Sequence, residues 1–215
     1  MILYLFTLLA LANPLKDPVA AALDNFHHVV SYRVTLRSRS DGSTTIIRYF
    51  FKKPGFVRME FIKPHDGAVL VYNPAKKEAQ LRPLGFFKPL VLTLAPDNKL
   101  IISPTGHRVD ASDPGTFLET VKALAERGKI AIMGEEKIGG QEALIVEVQG
   151  GQGIANSFGI HRYLLWLDTR TLLPLKTESF DLRDKKVEEV LMDDSEINID
   201  LPDSLFDLRS TDQKY

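Results

Sequence analysis

Between Ser43 and Arg82 the apolar residues fall on every second position. Ile47, Tyr49 and Phe51 share one face, and so do Val57, Met59 and Phe61. Arg48, Lys52, Arg58 and Glu60 stand between them. A period of two means strands with one dry face and one wet face. Pro54-Gly55 and Asp66-Gly67 punctuate the run, and Asn73-Pro74 closes its third strand, as turns between antiparallel strands do. The stretch predicts four consecutive strands of one antiparallel sheet.

Upstream, Asp17-Pro18 can cap and start a helix on which Val19, Leu23, Phe26 and Val30 recur at helical spacing. It leads into a strand over 31–39, where Tyr32, Val34 and Leu36 alternate with polar residues, and Ser40-Asp41-Gly42 turns that strand into the next. From Leu84 to Pro104 the pattern breaks, and apolar clusters interrupted by prolines leave strand and short helix both open. Ser112-Asp113-Pro114 is a strong helix start. Phe117, Val121, Leu124 and Ala125 lie on one stripe of that helix, and Gly128 ends it. Its dry stripe needs a cover, which the dry face of the sheet can provide. Strands are then expected at 129–133, 143–149, 162–168, 174–181 and 185–193, with a Gly-rich loop at 150–159. The expected fold is α+β and mainly β, a single curved antiparallel sheet of about ten strands, because sheets this long curl into a barrel or part-barrel.

Composition narrows the function. The 215 residues suffice for one domain, 13–215, with a sizeable core. A net charge of −1, with basic residues spread along wet faces, argues against a nucleic-acid partner. Absence of cysteine excludes disulfides, thiol catalysis and Cys-ligated zinc. Ile2 to Ala12 is apolar apart from Tyr4 and Thr7, and Ala10-Leu11-Ala12 matches a signal-peptidase site. Residues 1–12 are therefore expected to be a signal peptide, although no Lys or Arg precedes the apolar core. A buried first element is the alternative.

Candidate chemistry is sparse. His27 and His28 are adjacent on a helix and point about 100° apart, so they cannot chelate together. His65, His107 and His161 are single, and no metal is expected. No G-x-S-x-G presents a serine. Gly150-Gly151-Gln152-Gly153 lacks the Lys-Ser/Thr and the helix of a phosphate loop. No catalytic residue and no cofactor is assigned.

Two stretches carry a family resemblance. RYFFKKPGFVRMEFIKP, followed by GAVLVYNP, places a strand, a basic residue before Pro, an aromatic-rich strand and an aromatic-Asn-Pro turn in series. LLWLDTRTLLPLKTESFDLRDKKVEEVLMDDSEINIDLPDSLFDL has a strand ending in Leu-Asp, a Leu-Pro step, two further strands, and Asn before a final Pro-x-x-x-Phe. Together they cover about a third of the chain, and the pattern resembles the outer-membrane lipoprotein carrier (LolA/LolB-like) superfamily. The resemblance implies an unclosed half-barrel with helices over its concave face and an apolar cavity for acyl chains. Lys53 stands where the classical carrier has Arg, and Lys cannot make the bidentate bonds of Arg.

These readings imply an exported, periplasmic, monomeric protein that holds lipid or lipoprotein acyl chains in a cavity, carrier- or chaperone-like. A chain of 16 carbons would gain roughly 12 kcal/mol on burial before ordering costs. The expected lining is Tyr32, Val34, Ile47, Tyr49, Phe51, Lys53, Val57, Met59 and Phe61 from the sheet, with Phe117 and Val121 from the helix. The alternative is an envelope sensor or regulatory module that uses the same fold to bind a protein partner. A hydrolase near His107 or His161 would need one of them hydrogen-bonded to a carboxylate inside a pocket.

Overall fold

The computed structural model of the protein describes residues 16–83 and 90–209. The apolar run at 2–12 and the Phe86-Phe87 pair lie outside those residues. One antiparallel sheet of eleven strands dominates the fold. In chain order the strands are β1 (Ser31–Ser40), β2 (Ser43–Lys52), β3 (Phe56–Lys63), β4 (Val69–Asn73), β5 (Glu78–Arg82), β6 (Leu92–Leu94), β7 (Gly128–Ile138), β8 (Gln141–Gly150), β9 (Arg162–Asp168), β10 (Pro174–Phe180) and β11 (Lys186–Ile197). Their spatial order is β6-β5-β4-β3-β2-β1-β11-β10-β9-β8-β7. Two meanders therefore meet at β1 and β11, and the outermost strands β6 and β7 do not pair with each other. The sheet is antiparallel, as the alternation predicts, and unclosed, as the family resemblance implies.

Two helices lie on one face. Helix α1 (Pro18–His27) begins where the Asp17 carboxylate accepts from Ala20 N at 2.8 Å. Helix α2 (Pro114–Ala125) begins where Asp113 accepts from Thr116 N at 3.0 Å. Each Asp-Pro pair works as the sequence implies: the carboxylate satisfies an orphan N–H, and Pro occupies a position that needs none. The apolar stripes differ slightly from expectation. On α2 the buried residues are Gly115, Leu118, Val121 and Leu124, with Phe117 half-buried beside them. On α1 they are Pro18, Val19, Ala22 and Phe26, and the chain then buries Val29 while exposing Val30. The helix has ended by His27, so helical spacing no longer applies at residue 30.

Inner-face positions run straight across the sheet. Tyr32 is opposite Phe51, which is opposite Val57, which is opposite Tyr72. On the other meander Ile130, Val148 and Tyr163 form a comparable row. Residues of both meanders join both helices in one buried cluster. A flat sheet would hold Tyr72 and Val148 far apart, so the sheet bends around its helices to seal this core.

The outer face is only partly wet, which corrects the simple dry-and-wet reading. Residues 199–208 return across β2–β4 and cover Phe50, Val69 and Val71 with Leu201, Leu205, Phe206 and Leu208. Arg58, expected in water, is buried there and donates to Leu205 O at 2.9 Å. Lys52 donates to Leu201 O at 2.7 Å, and Leu208 N donates to Gln80 Oε1 at 2.8 Å. The strand expected at 129–133 is also longer, because β7 continues through a register shift between Ile132 and Gly134. A bulge hides the second half of such a strand from a period-two reading.

The helices meet at Gly115, where a Cβ atom would stand 2.6 Å from the Phe26 ring. Gly115→Ala is expected to destabilise the protein by about 1–3 kcal/mol, despite the better helix propensity of alanine, because the packed ring must shift. A lowered urea midpoint with an unchanged m-value is the expected result. An unchanged or raised midpoint would contradict this contact.

Candidate functional site

The inner face is the candidate site, and its side chains divide by burial. Tyr32, Val34, Tyr49, Phe51, Val57 and Val121 are all 3 % exposed or less. They sit near α1, where the Phe26 and Phe51 rings are 5.6 Å apart. Ile47, Met59 and Phe61 are only half-buried, although they belong to the same strands. Leu36, Leu81 and Met192 join them at that more open end. Phe117 meets Tyr163 edge to face at 5.7 Å. The expected lining thus comes together on one face, tightly packed at one end and partly open at the other.

Lys53 stands apart from this lining. Its Nζ donates to His27 O at 2.5 Å, and the Phe26 ring lies 6.0 Å away. A cation at the carboxyl end of a helix satisfies an orphan carbonyl and opposes the helix dipole. Lys53 therefore ties β2 to the end of α1. One donor suffices for this, and lysine supplies it.

Sequence reasoning missed the polar groups of the inner face. Ser38 donates to Glu188 Oε1 at 2.5 Å. His107 Nε2 lies 3.9 Å from Glu188 Oε2, and its ring packs on Phe158 with centroids 4.7 Å apart. Asn156 donates to the Tyr163 hydroxyl at 2.8 Å. Loops 98–108 and 151–160 therefore meet over the carboxylate of β11. Burial drives the Tyr163 pKa up to about 12, against the hydrogen bond from Asn156, and the Glu188 charge adds to the rise. No motif signals this arrangement, because its members are scattered over more than a hundred residues of chain.

Neither single histidine supports hydrolysis. His107 makes no hydrogen bond to Glu188 at 3.9 Å. His161 contacts Ile154 O at 2.6 Å through Nδ1 and the Gln149 amide at 3.2 Å through Nε2. With Nδ1 donating to the carbonyl, Nε2 accepts from the amide, so this histidine fastens the Gly-rich loop to β8. A space of about 390 Å³ borders it, lined by Gly128, Lys129, Gln149 and Gln152. Among the described residues no three acidic or histidine side chains converge as metal ligands.

Among the described residues the buried Tyr49 hydroxyl finds no hydrogen-bond partner of good geometry. Ser112 lies alongside but donates to Val109 O at 2.9 Å. A buried hydroxyl without a partner is costly. Tyr49→Phe is accordingly expected to raise stability by about 1 kcal/mol, read as a higher denaturant midpoint. A loss of similar size would mean that the hydroxyl has a partner.

Burial also raises the pKa of Tyr32 and Tyr49 above the ordinary tyrosine value. In the unfolded chain these phenols ionise near pH 10, while the folded protein keeps them neutral. Their contribution to stability is complete below pH 10 and is lost as pH rises, through about 12 for Tyr163. Absorbance of phenolate during alkaline titration should rise late and together with loss of ellipticity. Normal ionisation near pH 10 in folded protein would contradict their burial.

No curated protein sequence matches the chain. Among solved structures, an uncharacterised conserved protein from Thermus thermophilus superposes with a TM-score of 0.56 at 13 % identity, covering 88 % of this chain and 93 % of that one. MucB, in its complex with MucA(peri), superposes with a TM-score of 0.53 at 16 % identity, covering 87 % of this chain and 58 % of MucB. The Mycobacterium tuberculosis lipoprotein LppX gives 0.51 at 9 % identity, covering 86 % and 95 %. At these identities the likeness is one of fold, and the fold is LolA-like, as the resemblance in the sequence implies. The family model described as the MucB/RseB N-terminal domain matches residues 89–209, more than half of the chain, and the chain belongs to that family.

Proposed function

We propose that this chain is an exported envelope module that recognises a polypeptide partner, as a sensor or regulator rather than as a carrier of acyl chains. The observation that carries this reading is the family match over 89–209, which takes in α2, β7 to β11 and the returning tail. MucB, which has the same fold, forms a complex with MucA(peri). Packing points the same way. Six of the eleven expected lining residues are enclosed by the protein's own side chains, which leaves them no surface to offer a ligand. In this reading residues 1–12 direct export and 13–215 form the single half-barrel domain.

Carriage of acyl chains is the second reading, and the half-buried Ile47, Met59 and Phe61 favour it. Those side chains give the inner face an apolar end that is not fully covered. Each methylene seated there would gain about 0.8 kcal/mol.

Native mass spectrometry separates the two readings. The chain is incubated with an envelope extract, isolated without detergent, and weighed intact. A stoichiometric polypeptide adduct, with no mass in the range of a fatty acid or lipid, is expected. A lipid adduct without any protein partner would overturn the regulatory reading in favour of carriage.

A further inference from the structure

Strand β7 ends the sheet, and among the described residues nothing pairs with its outer side. It is eleven residues long and largely exposed. Ile132 and Met133, at its middle, are 43 % and 58 % exposed. A strand with a free row of N–H and C=O groups and exposed aliphatic side chains is a template for another strand. We propose that it pairs antiparallel with β7 of a second copy of this chain, about a two-fold axis between residues 132 and 133.

The bulge in β7 makes the strand complementary to itself. Lys129 stands opposite Gln149 and Glu136 opposite Ala143, two positions on the same face of β8. Without the register shift between Ile132 and Gly134, residues seven apart would point to opposite faces. With it, Lys129 and Glu136 share the outer face, where Glu136 also accepts from Trp166 Nε1 at 2.7 Å. Pairing about the proposed axis puts Lys129 beside Glu136 of the second copy, and Glu136 beside its Lys129. Two opposite-charge cross-strand pairs form at once. Ile132 and Met133 of the two copies meet at the centre.

Main-chain directions agree with this register. Gly150 N donates to His161 O, so Gly150 directs its peptide groups toward β9. Gly128, opposite it, therefore directs its own groups outward. Alternation then turns Ile130 outward, and beyond the bulge Glu135 and Lys137. In the proposed register Gly128 faces Lys137 of the second copy and Ile130 faces its Glu135. Outward groups meet outward groups, and shifting by one residue destroys both this match and the match of faces. The contact involves one strand per copy, so the dimer belongs to the weak class.

Sedimentation equilibrium over a range of concentrations tests the proposal, with circular dichroism to verify folding. The wild-type chain is expected to dimerise reversibly. Lys129→Glu should lower the association constant about tenfold, and adding Glu136→Lys should recover most of that loss, because the charges are exchanged rather than removed. The natural chain has no cysteine, which allows a second readout. Lys129→Cys with Glu136→Cys places two thiols roughly 23 Å apart in one chain, so a disulfide between them can only join two copies. Mild oxidation should yield a covalent dimer. A wild-type chain that stays monomeric, or one that dimerises equally well with Lys129→Glu, would overturn the proposal. So would an edge occupied only by a strand of another protein.

Discussion

One constraint governs this molecule. A long antiparallel sheet carries an apolar face that its two short helices must cover, and flat they could not do so. The sheet therefore bends, and one cluster runs from Tyr72 on one meander to Val148 on the other by way of Leu118 and Val121. Burial of that face supplies the main driving force, and hydrogen bonds between strands fix its shape. Ion pairs along the outside add little. Arg33–Glu196 and Arg37–Asp193 lie in the open between β1 and β11, where water and salt screen them.

The same constraint explains how the site is divided. Phe26 and Lys53 hold α1 against the end of β2, and Gly115 lets α2 approach it closely. Beneath that junction the inner face is solid protein. Away from it, cover comes from loops, and polar groups such as Glu188 and Ser38 enter among apolar neighbours. The inner face therefore has one closely packed end and one that is only half-buried. At the less covered end the His107 and Phe158 rings, from two different loops, lie 4.7 Å apart.

Much of the architecture was legible in the sequence. The alternation at Ile47, Tyr49 and Phe51 reports the pleat directly, and the Asp-Pro pairs report helix starts through backbone chemistry confined to a few residues. The features that escaped are those set by distant parts of the chain. Phe50 and Arg58 look like members of a wet face until the tail at 199–208 lies across them. The second half of β7 disappears behind a bulge, and β6 is three residues long among prolines. Site residues were legible only as a face. Alternation identifies Tyr49 and Met59 as neighbours, but whether each is sealed or accessible depends on the position of the helices.

The most direct test of this account is nuclear Overhauser spectroscopy of the lipid-free protein during titration with a long-chain fatty acid. If the inner face is closed by its own helices, cross-peaks between the Phe26 and Phe51 rings, and between Phe117 and Tyr163, are present at the start and persist at saturation. Their disappearance as fatty acid is added would show the helices swinging away to admit a lipid, and would contradict the account.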